Sequence, residues 1–494
     1  MNATVRTTLF WAAFAIIAAA NIAVALQSLL VLHFWEDEAF NLTVPLNLLD
    51  GLGYTSDGAL SGSTLTPFDP RISTGPSVLL PAAALIGIGL DPVIGARLVP
   101  LMYWILLLVG LWVLGRRIAG RWAALLAIAV PLAFDTSALP SPIQGPADLL
   151  GEIPAAALLV WALVVLPRRA WLAGLLVGLA VQAKLIALLA LPAFAVALWA
   201  LTPGSGRARI TAALRRSWLP LVLAGTPTLV VEVAALITLG PSGFIEHLRD
   251  IARFVRSGGQ NEAPTTVFDK LSWFIDSWHV PVWAVLIAAL VGAALIVTAL
   301  VRHRDTMDRD RLALLLAASV GLVAFLGWWA TAAHTPLWVR HPSPGVFAFL
   351  PVLAAFTVWA AQVLWSERDT DAPRATRALP GVAVAASLAV ALVAGATAAG
   401  VVQHGVIGVS PPTVATLPAQ RESVAELAEQ WADDADPEWL AAEPWGSAVP
   451  MIVMLGAHVG LFDAEAMRDV TRLGFACAEE PLAQSGPFII CPAP

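Results

Sequence analysis

Eleven apolar blocks follow one another along the chain, at about 9–34, 93–115, 122–138, 150–167, 170–184, 185–202, 218–239, 281–301, 312–332, 344–365 and 379–402. Every second connection between them is basic. Runs of this length suit a bilayer, where a backbone must satisfy its own hydrogen bonds and therefore becomes helical. Composition agrees: 58% of the 494 residues are hydrophobic and 13% are charged, against about 45–50% and about 25% in soluble domains. The stretch from Trp171 to Leu201 exceeds one span and is divided at Gln182 and Lys184. The expected fold class is an α-helical polytopic membrane protein with about eleven transmembrane helices and a small C-terminal α/β domain.

Loop charge sets the expected orientation, because arginine and lysine are retained on the cytoplasmic side. Arg6 precedes the first block, and Arg116, Arg117 and Arg121 follow the second. Arg168 and Arg169, then Arg207, Arg209, Arg215 and Arg216, occupy the next two alternate connections. Arg302, Arg304, Arg309 and Arg311 follow the eighth block, and Arg368, Arg374 and Arg377 the tenth. The N-terminus is thus expected in the cytoplasm and the C-terminus outside a plasma (inner) membrane. The first block is longer than the roughly 7–15-residue core of a signal peptide, so it is expected to remain as a span. The net charge of −7 gives no sign of nucleic-acid binding.

Two outer segments are long enough to carry function: a first loop, 35–91, within a membrane domain 1–403, and a tail domain, 404–494. Val78–Leu90 is too short to span comfortably and reads as a re-entrant or interfacial hairpin. Residues 38–50 alternate like a strand, while Asn41, Thr43 and Asn47 also suit one polar face of an interfacial helix; the pattern leaves both open. In the tail, Gln420–Asp433, Met451–Leu461 and Ala464–Arg472 read as helices. Trp439–Glu443, Phe475–Glu479 and Phe488–Cys491 read as strands. The chain's two cysteines, Cys477 and Cys491, lie there, and an oxidising compartment predicts a disulfide between them.

Charges at span ends carry the chemistry. Three consecutive carboxylates, Glu36, Asp37 and Glu38, repel one another at a membrane boundary, which raises carboxylate pKa values and suits one of them to general-base work. A solvated acidic flank is the plain alternative. Arg71 stands in an acidic loop beside small residues, where Pro70 and Gly75-Pro76 would form a turn in any case. Asp148 and Glu152 open the fourth span, and Lys184 sits at a turn between spans, where snorkelling is the simpler account. Arg340 and His341 precede the tenth span in a segment that also reads as an interfacial belt. Glu232 is the carboxylate placed within a span, facing a headgroup or pairing with another helix. The eight histidines show no metal-ligand spacing.

The ordered set Asp37-Glu38, Gly51-Leu52-Gly53, Arg71 with Pro76, Arg97-Leu98, Gly151-Glu152 with Pro154, and Gly174 to Lys184 resembles the GT-C glycosyltransferases. It is most similar to the branch holding protein O-mannosyltransferases and the lipid A aminoarabinose transferase. The resemblance covers about the first 200 residues; the later part matches in architecture. It implies a glycosyltransferase that inverts the sugar taken from a polyprenyl-phosphate-linked donor and gives it to a saccharide, lipid or protein acceptor. It further implies Asp37 as base, Glu152 or Asp148 as a second acid, and Glu38 beside the base. Arg71 stands where relatives place a lysine; with Lys184, Arg340 and His341 it is expected to bind substrate. No nucleotide motif is present, as a lipid-linked donor predicts. No cofactor is expected, and the sequence leaves a divalent metal open. The competing reading is a lipid-linked-sugar flippase or transporter, which should show an internal repeat and interrupted midplane spans; neither is visible. A noncatalytic scaffold would leave the acidic first loop unexplained.

Overall fold

Ten of the eleven predicted spans fall on helices of the computed structural model; the eleventh, 379–402, lies outside the described residues. Described are residues 3–58, 62–136, 142–257, 264–303, 307–366, 414, 416–431, 439–443 and 446–493. In chain order the helices are α1 (Ala3–Leu30), α2 (Glu36–Leu49), α3 (Pro76–Gly87), α4 (Pro92–Ala119), α5 (Arg121–Ala133), α6 (Glu152–Val165), α7 (Ala170–Ala183) and α8 (Leu191–Leu201). There follow α9 (Gly206–Ser257), α10 (Val267–Asp276), α11 (Val282–Arg302), α12 (Arg309–Thr331) and α13 (Ser343–Ser366). The tail adds α14 (Leu417–Trp431) and α15 (Ala448–Leu455).

Among the described residues, α1, α4, α9, α11, α12 and α13 are long and apolar enough to cross a membrane. The shorter apolar helices α5, α6, α7 and α8 pack among them. Helix α6 is buried on nearly every side, between α4, α7 and α13, as an all-apolar helix at the centre of a bundle must be. Helices α9 and α11 instead expose Leu229, Val230, Ile237, Leu290 and Val301, the surface expected toward lipid. Small residues set the approach distances. Gly174 and Gly178, one turn apart on α7, sit directly on Pro220 and Ala224 of α9. The spacing that marks this run in the sequence is therefore a helix-packing face.

Local chemistry ends and starts these helices. Asp91 caps α4 by accepting from the Ile94 N–H at 2.9 Å, and Asp308 caps α12 through Arg311 N–H at 2.7 Å. Gly240 breaks α9 at φ +68. On the far side of that break His247 comes within 3.4 Å of Glu232, so the one intraspan carboxylate pairs on its own helix. Arginines of the basic connections cap helix ends: Arg117, in the last turn of α4, donates to the Val164 carbonyl at the end of α6 at 2.6 Å, and Arg209 to those of Trp199 and Ala200 in α8 at 3.1 and 3.0 Å.

The segment 38–50, open between strand and helix in the sequence, is helical. Asn41, Thr43 and Asn47 do not form a solvated face; they are buried. Asn41 donates to Thr74 Oγ1 and the Leu149 carbonyl at 3.1 and 2.7 Å, and Asn47 to Asp57 at 2.9 Å. The apolar run after Pro76 is the short helix α3.

Strands β1 (Thr55–Ser56) and β2 (Thr66–Pro67) form a small antiparallel ladder in the first loop. The tail holds β3 (Trp439–Ala442), β4 (His458–Leu461), β5 (Arg472–Gly474), β6 (Ala483–Ser485) and β7 (Phe488–Cys491), in the order β4-β3-β5-β7-β6. Strands β3, β4 and β5 are parallel neighbours, and β7 is antiparallel to β5 and β6. Three tail expectations are corrected. The predicted helix 451–461 stops at Leu455, where Gly456 turns the chain at φ +84 and releases β4. The segment 464–472 keeps only a single turn, Glu465–Met467, before β5, and 475–479 lies just beyond that strand rather than in one. Cys477 and Cys491 are bonded, with Cα atoms 5.5 Å apart.

Candidate active site at the end of the bundle

Trp35 is extended (φ −120, ψ 171), and α2 begins at the next residue. Its first turn carries Glu36, Asp37 and Glu38, where the helix N-terminus favours negative charge. Successive helical positions diverge by about 100°, so the three acids enter three environments.

Glu38 points inward and is fully buried. Arg97 of α4, also fully buried, donates Nε to Glu38 Oε1 at 3.0 Å and Nη2 to Oε2 at 2.5 Å. The same guanidinium donates to the carbonyls of Ser28, Leu32 and His33 at 3.0, 2.8 and 2.9 Å. Glu38 Oε1 also accepts from the Leu149 N–H at 2.9 Å. Every face of this bidentate pair is spent on structure: it ties the end of α1, the start of α2, α4 and the loop before α6 together. Asp148, in that loop, accepts from the Gln144 N–H at 2.6 Å. Burial first, and then the charge of Glu38, push its pKa well above the usual carboxylate range.

Asp37 points the other way. Its Oδ2 accepts from Arg340 Nη1 at 2.5 Å, and at 19% side-chain exposure it is the most open member of the cluster. The guanidinium of Arg340 lies 5.7 Å from the Trp35 ring and 5.2 Å from Trp338, a setting that holds a planar cation without neutralising it. Glu152, the first residue of α6, is fully buried, and Lys184 Nζ stands 2.8 Å from its Oε1. That contact is an ion pair in distance, yet neither Glu152 oxygen receives a well-aligned donor. Lys184 Nζ directs its hydrogen bond to Ser73 Oγ at 2.7 Å.

The two ion pairs stand together: the fields of Asp37 and Glu152 act on both Arg340 and Lys184. Two glycines permit this. Residues 182–184 pass between the first loop and the start of α6, with the Gly75 N–H donating to the Ala183 carbonyl at 3.2 Å. A Cβ on Gly75 would meet the Gln182 carbonyl, and one on Gly151 the Ala183 carbonyl. The Gly-Pro of the first loop and the Gly-Glu before α6 are thus the two walls of the Lys184 turn.

Glu36 is half-buried; burial, then the neighbouring Asp37, lift its pKa from 4.5 to about 7. The expected rise from crowding therefore falls on Glu36. His341 follows Arg340, with its ring centroid 5.4 Å from that of Trp338. Burial and the surrounding cations, Arg340 first, hold its pKa well below 6.5. Arg71 is exposed, and its N–H is held by Asp69 at 2.8 Å. Among the described residues no group of three or more His, Cys, Asp or Glu side chains is placed to hold a metal ion.

The structure therefore brings Asp37, Glu152, Lys184 and Arg340 into one cluster, with His341 beside it. Glu38 and Asp148 lie behind it as supports, and Arg71 stands exposed. Trp35 and Ser73, which flank the acidic run and Arg71 in the sequence, join the cluster. Arg97 entered only as part of an Arg-Leu pair, although a lone arginine inside an apolar block was signal enough. Besides the Glu152 oxygens, three buried nitrogens here have no hydrogen-bond partner among the described residues: Arg340 Nε, Trp35 Nε1 and His341 Nδ1. The Arg340 and Trp35 N–H groups are donors left over at the cluster.

No protein-family model and no curated protein matches the sequence. Among solved structures, the chain is similar to ArnT from Cupriavidus metallidurans in the apo state, at a TM-score of 0.61 and 12% identity, covering 97% of each chain. ArnT bound to undecaprenyl phosphate matches at a TM-score of 0.53 and 14% identity, over 94% of this chain and 87% of that one. The apo oligosaccharyltransferase of Archaeoglobus fulgidus matches at 0.52 and 13%, over 92% of this chain and 64% of that one. Identities this low carry architecture alone: over these shares of its length the chain has the fold of ArnT and of the oligosaccharyltransferase.

Proposed function

We propose that the protein is a glycosyltransferase that moves a sugar from a polyprenyl-phosphate-linked donor to an acceptor hydroxyl, with inversion at the anomeric carbon. The observation that carries this reading is the Asp37–Arg340 pair beside Glu152–Lys184: a half-open carboxylate and two buried cations at one end of an apolar bundle. The transfer needs these parts. The acceptor oxygen attacks the anomeric carbon while its proton passes to Asp37. The bond from that carbon to the phosphate oxygen breaks, and the electron pair leaves with the lipid phosphate. Arg340 and Lys184 stabilise the charge that develops there. Glu152, with neither oxygen engaged by an aligned donor, accepts a hydrogen bond from the acceptor or the sugar. Similarity in fold to a structure that holds undecaprenyl phosphate supports a lipid-linked donor.

The reaction side is proposed to be extracytoplasmic, with the N-terminus in the cytoplasm and the tail outside. The alternation of basic loops supports this, as does the position of the acid–cation cluster beside the first loop. The acceptor is a saccharide, lipid or protein hydroxyl. The test is transfer of radiolabel from polyprenyl-phospho-sugars by the purified protein. Labelled product from wild type and none from Asp37→Asn is the expected result; translocation of the lipid without transfer would overturn the reading.

A further inference from the structure

The non-helical segment 31–35 between α1 and α2 decides where α2 starts, and with it the direction of Asp37. From one side Arg97 holds the carbonyls of Leu32 and His33. From the other side the hold comes from nearly four hundred residues later. At the start of α14, the Leu417 N–H donates to the Val31 carbonyl at 3.0 Å. Gln420 then grips Phe34 at both ends: its Oε1 accepts from the Phe34 N–H at 2.6 Å, and its Nε2 donates to the Phe34 carbonyl at 2.7 Å. Gln420 and Phe34 are each 1% exposed, so water does not replace either bond. A carboxamide can both accept and donate in one plane, as a peptide group does; a carboxylate can only accept.

We infer that Gln420 is a positioning residue for the transfer reaction: through Phe34 the C-terminal domain fixes Asp37 against Arg340. The inference rests on the glycosyltransferase reading above. Adhesion of the domain does not require Gln420, because three contacts away from segment 31–35 dock it. Asp57 accepts from the Val459 N–H at 2.9 Å and sits 3.1 Å from His458 Nδ1. Gly58 and Gly62 pair with the edge of β4 at 3.0 and 2.7 Å. Arg421 pairs with Asp91. What Gln420 alone supplies is the register of a backbone three residues before Asp37.

Gln430 is a matched control on the same helix. It makes the same two-ended grip on Gln484, at 3.0 and 2.9 Å, but within the tail and exposed. The experiment uses the full-length protein in detergent or nanodiscs and compares wild type, Gln420→Leu, Gln420→Glu and Gln430→Leu by hydrogen exchange and by kinetics. Gln420→Leu should speed exchange across residues 31–40 while the Val459 amide stays protected. A misplacement of about 1 Å should cut kcat about 100-fold with donor KM changed less than about twofold. Gln420→Glu, which keeps the Phe34 N–H bond, should fall between, and Gln430→Leu should match wild type. Unchanged exchange at 31–40, a kcat equal to that of Gln430→Leu, or loss of Val459 protection in parallel would each overturn the inference. Wild type inert toward every lipid-linked donor would instead overturn the reaction reading, with the exchange data still reporting whether Gln420 orders the segment.

Discussion

Adjacent acids in the first turn of α2 should respond to neutralisation in opposite ways. Asp37→Asn preserves shape and still offers an oxygen to Arg340, but removes the proton acceptor. Loss of a general base costs about 10²–10⁴-fold in turnover, roughly 3–5 kcal/mol of barrier. The same change releases Arg340. A unit charge at 4 Å attracts it by about 4 kcal/mol at an effective dielectric near 20, and Asp37 competes with the donor phosphate for that guanidinium. Binding of polyprenyl phosphate to Asp37→Asn should therefore be retained or tightened while transfer is lost. Glu38→Gln should fail differently. Its carboxylate is fully buried and satisfies Arg97 at two points; neutralising it strands a buried guanidinium, at about 3–5 kcal/mol of folding stability. The assay is initial-rate transfer with labelled donor, lipid-phosphate binding, and thermal unfolding, on both variants in one detergent. Near wild-type turnover by Asp37→Asn, with a dead but fully stable Glu38→Gln, would refute the reasoning and move the base one residue along.

Arg340→Gln and Lys184→Ala should each lower donor affinity or turnover by 10-fold or more, on the order of 1.4 kcal/mol at the least, whereas exposed Arg71→Ala should cost less; the reverse order in a donor titration would place the phosphate at the first loop. Cys477→Ser should lower tail stability by about 3 kcal/mol in the chain-entropy model for a loop near 15 residues, read as earlier proteolysis of the tail. Glu36 binds its proton more tightly folded than unfolded, so its contribution to stability is fullest below pH 4.5 and is lost as pH rises to about 7. Glu36→Gln should flatten unfolding midpoints across that window, by at most about 3 kcal/mol; equal slopes in both proteins would show that Glu36 is not desolvated.

The helices were legible because lipid-length apolar blocks leave the backbone one solution, and the division at Lys184 because a cation interrupts such a block. The first loop was less so. Alternation in 38–50 arises because Asn41 and Asn47 serve buried hydrogen bonds, a pattern that periodicity assigns to a solvated face or a strand. The acids were found by their position, but their division of labour was not: which of Glu36, Asp37 and Glu38 meets Arg340 depends on where α2 starts, which is set by Arg97 and Gln420 from elsewhere in the chain. Gln420 itself carried no signal, being one glutamine in an amphipathic tail helix. In the tail, single residues such as Gly456 redirect short elements that have too few turns to establish a period.

The two-ended grip on Phe34 also sets a clock. Phe34 and Gln420 are 386 residues apart, and Asp57 and His458 are 401 apart. At about 5–20 residues per second of synthesis, the first loop emerges on the order of 20–80 s before the segment that completes it. During that interval the Val31 carbonyl, the Phe34 N–H and carbonyl, and the loop residues that later lie along β4 lack their partners from the tail. A nascent chain is thus a long-lived client for whatever shields exposed loops, and an incomplete chain cannot assemble an ordered Asp37.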